Sequence, residues 1–236
     1  MSIEFHIVPE YKEILKKAQL DSYQKLMNGN VGQLISDANR SQIFRIDIEP
    51  PMFLKRTLKV QNKKIFDLLM RGCIPHADCY REKISVEEIN KKNIDTMTII
   101  AWGEERTFIF PKRGFLLVKK IDGTEVQDMF SAATPEERHN IYLYYAKLLA
   151  SLHINGFFAP VRFKDIICRE KKENGELKLA LIDRSTNWPW PRRYTPKRAK
   201  KSFDRSMHYV KKYYPELPKA EHDYIYKCYC DFLQAK

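Results

Sequence analysis

The side chains best placed to do chemistry sit at the edges of apolar runs. Asp183 closes the run LALI in LALIDR. An acid there is costly to bury unless it binds a metal or pairs with a cation such as Arg184. Lys55 lies in FLKR among Phe53, Leu54 and Leu58, either embedded in a wall that faces an anion or an ordinary surface-strand lysine. Cys73, His76, Asp78 and Cys79 crowd into CIPHADC. A zinc site wants a further ligand from a second cluster at telling spacing, and nothing in the spacing of Cys228 and Cys230 demands it, so these read as loop residues. Trp188-Pro189-Trp190-Pro191 runs into Arg192 and Arg193, a platform on which a sugar or a base stacks, or a pair of loop anchors. His153 reads as a residue that caps and packs the end of the long helix, and no His/Ser/Asp arrangement points to hydrolysis.

The elements that must position these groups follow from periodicity. Residues 9–27 predict one amphipathic helix, with Ile14, Leu15, Ala18, Leu20 and Leu26 among polar residues. NGNVG breaks the pattern. SQIFRIDIEP alternates as a strand until Pro50-Pro51, and MFLKRTLKV resumes as a second. Residues 80–92 predict a helix with Val86 and Ile89 on one face. IDTMTIIAWGEE and RGFLLVKKIDG predict two more strands, giving a small antiparallel sheet with a packed helix through residue 119. Beyond Gly123, Thr134 with Pro135 and Glu137 forms a capping-box pattern that opens a buried helix ending at Gly156. FKDIICR and LKLALID predict a hairpin around Asn174-Gly175 with a type I′ turn. Helices over 196–213 and 219–234 close the chain.

Bulk properties narrow the classes. At 236 residues the chain holds one medium domain or two small lobes, and 44% hydrophobic content supports a core. No run is long and apolar enough to span a membrane, and MSIEFHIVPEYKEILKK lacks the order of a signal peptide, so cytoplasmic residence is expected. Five cysteines argue for reduced thiols. Lys and Arg outnumber Asp and Glu by 42 to 30, and from Arg192 to Lys212 nine basic residues stand against the single acid Asp204. Such a segment attracts polyanions, or it is simply a solvated basic face.

The stretches FLKR (53–56), NIDTMTIIAWGEE (93–105), RGFLLVKKIDGT (113–124), LLASLHINGF (148–157) and LALIDR (179–184) resemble the lipopolysaccharide core kinases. Those enzymes phosphorylate heptose or Kdo sugars and share the protein kinase-like fold. The resemblance covers roughly Ser41 to Arg193; IDTM followed by WGE is its most distinctive part. It implies an α+β, bilobal protein kinase-like fold, with a small antiparallel-sheet lobe over 1–119 and a mainly helical lobe over 120–236 that carries the basic segment 192–212. ATP and Mg²⁺ are the implied cofactors. Lys55 is implied at the ATP phosphates, Glu82 as its partner on the following helix (with Glu87 and Glu88 as fallbacks), and Asp183 as the metal-binding aspartate. Trp188, Trp190, Arg192 and Arg193 are candidate substrate contacts.

The sequence departs from that family at the catalytic loop. Aligned without gaps, the family's His-Arg-Asp falls on Ala159-Pro160-Val161 and the second metal position on Ile166, none of which accepts a proton or binds Mg²⁺. Asp165, one residue from that metal position, is a weak substitute. Losing a general base removes on the order of 10²–10⁴-fold in rate, while electrostatic terms survive without it. Three functions compete. One is an ATP-dependent kinase of a lipopolysaccharide core sugar, peripheral at the inner membrane, that contacts anionic glycolipid or phosphorylated core oligosaccharide through its basic segment. Another is a pseudokinase that binds the same glycolipid or regulates a relative. The third, ranked last, is a nucleic-acid-binding protein.

Overall fold

The computed structural model describes residues 1–172, 174–184 and 188–234. The chain divides into two compact units. The first comprises Met1–Val86, Met97–Lys120 and 188–189, and the second Glu87–Thr96, Ile121–Arg184 and 190–234.

The first unit contains β1 (Ser2–Ile7), α1 (Lys12–Lys17), α2 (Tyr23–Asn28), β2 (Gln33–Ala38), β3 (Ser41–Ile46), β4 (Met52–Thr57), α3 (Asn62–Met70), most of α4 (Asp78–Asn90), β5 (Ile99–Thr107) and β6 (Phe110–Lys119). The strands form one antiparallel sheet in the order β1-β5-β6-β4-β3-β2. Its register sorts the side chains into two faces. Ala101, Leu117, Leu54 and Phe44 lie in one row across β5, β6, β4 and β3, and this face buries Leu15, Tyr23, Leu26 and Met27 of α1 and α2. Each large apolar side chain so buried contributes about 1.5–3 kcal/mol. The next row, Trp102, Leu116, Lys55 and Ile43, points the other way, because successive strand residues alternate faces. There α4 lies on the sheet, with Lys83 over the Trp102 ring at 4.4 Å.

Arg56 fastens α2 to the first face. Its guanidinium donates to the carbonyls of Leu26 and Gly29, each at 2.7 Å, and sits 4.4 Å from the Phe44 ring centroid. A helix leaves its last carbonyls without partners, and Arg56 satisfies two carbonyls at the end of α2.

In the second unit are the end of α4, β7 (Thr124–Glu125), α5 (Val126–Ala132), α6 (Pro135–Ile154), β8 (Ile166–Lys171), β9 (Leu177–Leu181), α7 (Pro196–Tyr213) and α8 (Lys219–Gln234). The helix α6 starts where the capping box predicts. Thr134 Oγ1 accepts from Glu137 N–H at 3.3 Å, and Glu137 Oε2 accepts from Thr134 N–H at 3.1 Å. It ends in a Schellman motif: Phe157 N–H donates to Leu152 O, Gly156 N–H donates to His153 O, and Gly156 is left-handed at φ +87°. A Cβ there would stand 2.3 Å from the Arg192 carbonyl. Tyr142, Tyr145, Leu149 and Leu152 of α6 are buried with Phe203 and Val210 of α7 and Ile225 and Tyr229 of α8.

Three expectations need correction. Residues 9–27 do not form one helix: Gln19 is left-handed at φ +57°, and Ser22 opens a new helix, its Oγ accepting from Lys25 N–H at 3.3 Å. Strands β1 and β2 and helix α3 lie in stretches where the pattern predicted no element; β2 is fully exposed and β1 mostly so, which leaves little apolar alternation to read. The β8–β9 hairpin forms, but not on a two-residue type I′ turn. Lys172 N–H donates to Glu176 O and Gly175 N–H to Lys172 O, and of Asn174 and Gly175 only the glycine is left-handed.

Among the described residues, no helix is long and apolar enough to cross a membrane.

Candidate functional site

Pleating decides where Lys55 points. With Leu54 and Arg56 committed to the α1–α2 face, Lys55 emerges beneath α4, and its Nζ meets Glu82 Oε1 at 2.6 Å. The two side chains are 16% and 4% exposed. Cys79, three positions before Glu82 on α4, sets that helix against β4. Its N–H donates to Thr57 Oγ1 at 3.1 Å, and its Sγ lies 3.0 Å from Thr57 Oγ1 and 3.3 Å from Lys55 O. Burial pushes the Cys79 thiol up to about 12, so it stays protonated. The structure thus brings together Lys55 and the glutamate reached by gap-free counting.

The CIPHADC stretch is a loop only to Ala77, since Asp78 and Cys79 open α4, and it turns its side chains to separate partners. His76 Nδ1 lies 3.1 Å from Glu104, which also accepts from Ala77 N–H at 2.5 Å and pairs with Arg106. Asp78 pairs with Lys64 at 3.0 Å and with Arg81. Glu104 is fully buried, and these donors supply the compensation that a buried carboxylate requires. Among the described residues, no group of three His, Cys, Asp or Glu is placed to hold a metal.

In the second unit, the loop after α6 departs furthest from expectation. Val161, the position aligned with a catalytic base, is fully buried in the hydrophobic core. Its backbone is fixed on both sides: Val161 N–H donates to Ser206 Oγ at 3.0 Å, and Tyr145 Oη donates to Val161 O at 2.8 Å. The next residue, Arg162, emerges from the core and closes on Asp165. Its Nε and Nη2 donate to the two Asp165 carboxylate oxygens, both at 2.7 Å, and its backbone N–H adds a third bond at 3.1 Å. Asp165 is only 6% exposed, and a bidentate, charge-assisted pair of this kind is among the stronger hydrogen-bonded arrangements in proteins. The same Nη2 lies 3.5 Å from Asp183 Oδ2. Asp183 is left-handed at φ +55°, a conformation Asp tolerates better than most residues, and its side chain is 48% exposed. On a further side, the Arg162 guanidinium is 5.9 Å from the Tyr209 ring centroid. The side-chain hydrogen bonds that Arg162 donates to Asp165 chiefly, with the charges of Asp165 and Asp183, raise the Arg162 pKa above its ordinary value.

The donor set around Asp183 does not fit the divalent metal that the resemblance implies. Mg²⁺ demands near-octahedral oxygen ligands at short range. Both Asp165 oxygens already accept from Arg162, and Asp183 has the same guanidinium beside it. A dication about 4 Å from that guanidinium would be repelled by roughly 8 kcal/mol at an effective dielectric of 20. Motifs alone pass over Arg162. Its signal is present as Arg-x-x-Asp, the i,i+3 spacing that lets one turn close on itself.

The remaining candidates take lesser places. His153 is fully buried, its ring nitrogens 2.6 Å from Tyr229 Oη and 2.9 Å from Ser202 Oγ. It bridges α6 to α7 and α8 rather than capping a helix end. Burial chiefly, with the Arg184 charge, lowers its pKa to about 3. Trp188 and Trp190 are half-buried, and Arg192 and Arg193 are exposed. Arg192 N–H donates to Gly156 O at 2.9 Å, and Arg193 O accepts from Arg198 at 2.9 Å. The basic segment forms α7. Ala199, Ser202, Phe203, Ser206 and Val210 face the core, while Lys197, Lys200, Lys201, Arg205, His208 and Tyr209 with Asp204 line a shallow depression of about 410 Å³.

No family model matches the sequence, and no curated protein matches it. Among solved structures, WaaP in complex with acyl carrier protein matches with a TM-score of 0.67 and 13% identity, over 97% of this chain and 89% of that one. The chain therefore has the protein kinase-like fold that its resemblance to the lipopolysaccharide core kinases implied.

Proposed function

We propose that this chain is a lipopolysaccharide kinase-like protein that binds a nucleoside triphosphate at Lys55 and an anionic glycolipid on the outer face of α7, but lacks the groups for efficient phosphoryl transfer. The observation that carries the reading is the contrast between two positions: Lys55 and Glu82 are joined at 2.6 Å, while Val161 is buried in the core. Phosphoryl transfer depends on positioning and charge neutralisation, together with a group that orients the attacking hydroxyl. The first unit retains a positioned ammonium. At Val161 the second unit offers no proton acceptor, and Asp165, the nearby alternative, is fully engaged by Arg162. The acceptor class, a core sugar at the cytoplasmic face of the inner membrane, rests on the sequence resemblance, and the basic face of α7 suits its negative charge, since each Lys or Arg near an anionic surface contributes about 1 kcal/mol.

The test combines a thermal-shift titration with ATP and a transfer assay on core oligosaccharide. ATP should raise the melting temperature of the wild type but not of Lys55→Met, and no phosphate should reach the acceptor. Turnover at the roughly 1–100 s⁻¹ of ordinary kinases, or an ATP shift indifferent to Lys55→Met, would overturn the reading.

A further inference from the structure

We infer that Arg162 is a resident cation that takes the place of a divalent metal between Asp165 and Asp183. The inference is carried by geometry within the second unit alone.

A kinase-type metal site gathers carboxylate oxygens around a vacant centre, and here the gathering is done by a side chain. Arg162 satisfies both oxygens of buried Asp165 and extends the same Nη2 toward Asp183. The guanidinium is held on several sides. Asp165 fixes its plane, Tyr209 stands against it, and its own backbone N–H is bonded to Asp165 as well. The backbone just before it has no freedom to withdraw, because Val161 is pinned by Ser206 and Tyr145. Arg162 can therefore leave only by breaking its bidentate pair and stripping buried Asp165 of its cation, which is the costly way to vacate such a site. An arginine cannot be deprotonated in a protein, so the positive charge is permanent. Asp165 is thus no residual metal ligand or base; it is the anchor of the cation that replaces the ion.

The experiment uses the full chain and Mn²⁺ alone as the probe, followed by water-proton relaxation. Wild type should show no saturable Mn²⁺ binding at millimolar metal. Arg162→Ala, which frees both carboxylates, should gain a site at least about tenfold tighter, and Asp183→Asn in that background should remove the gain. Saturable binding to wild type that Asp183→Asn abolishes overturns the inference, and so does a folded Arg162→Ala that gains nothing. Should Arg162→Ala fail to fold, the comparison of wild type with Asp183→Asn still decides the matter.

Discussion

Lys55 Nζ and Glu82 Oε1 lie 2.6 Å apart although 27 positions of sequence separate them. The pair joins the middle of β4 to α4, and Glu82 is almost wholly out of water. Removing the ammonium takes a cation from a buried carboxylate, so Lys55→Ala should lower the unfolding free energy by about 3 kcal/mol. The double variant Lys55→Met/Glu82→Leu should recover most of that loss, because packed apolar groups often replace a buried ion pair at little cost. Urea unfolding of the three proteins checks this, and a double variant no more stable than Lys55→Ala would count against an ion pair.

Val161 sits where a catalytic base is expected, yet its side chain is in the core. Restoring the acid by Val161→Asp should not restore transfer. It should destabilise the protein by at least about 3 kcal/mol, since the new carboxylate would enter the hydrophobic core. Denaturant unfolding and a transfer assay measure both effects. A stable, active Val161→Asp would mean that this loop position faces the acceptor after all.

His153 makes stability depend on pH. In the folded protein burial, with the Arg184 charge, lowers its pKa from the ordinary 6.5 to about 3. The unfolded chain therefore takes up a proton below pH 6.5 that the folded chain refuses. Its contribution is fully present above that pH and is lost as pH falls toward 3, with a slope of up to about 1.4 kcal/mol per pH unit. His153→Gln should flatten the stability profile in that window. Unchanged slopes in a pH series of unfolding curves would place the acid sensitivity elsewhere.

The outer face of α7 should bind anionic surfaces. Lys197, Lys201 and Arg205 are exposed along the depression, so replacing all three by Ser should leave folding intact. At about 1 kcal/mol each, the triple variant should bind anionic vesicles on the order of 10²-fold more weakly, and salt should weaken the wild type in the same direction. Vesicle sedimentation against zwitterionic controls checks it. Wild-type affinity in the triple variant, or tighter binding to oligonucleotide than to vesicles, would move the partner elsewhere.

Local chemistry made much of the fold legible. The Thr134 capping box, the left-handed glycine at 156 and the helices over 196–213 and 219–234 are near-neighbour properties, and they stand where the pattern puts them. The stretch over 9–27 misleads for the same kind of reason: Ser22 is a cap residue inside an apolar periodicity, and the cap prevails. Edge strands β1 and β2 escape because an exposed strand needs little hydrophobic alternation. The site is legible only in part. A lysine in an apolar strand and a glutamate counted back from NIDTM onto the helix over 80–92 can be named from the sequence.

The sequence by itself determined the elements that carry a strong local pattern, the charge of α7 and the absence of a proton acceptor at residue 161, because each depends on residue type and short-range spacing. Only the tertiary structure decided that Val161 faces the core, that His153 is a neutral bridge among three helices, and that Arg162 reaches both Asp165 and Asp183. Those facts depend on the direction of a side chain after the backbone is fixed by distant partners such as Ser206 and Tyr145, and no spacing along the chain encodes a direction in space.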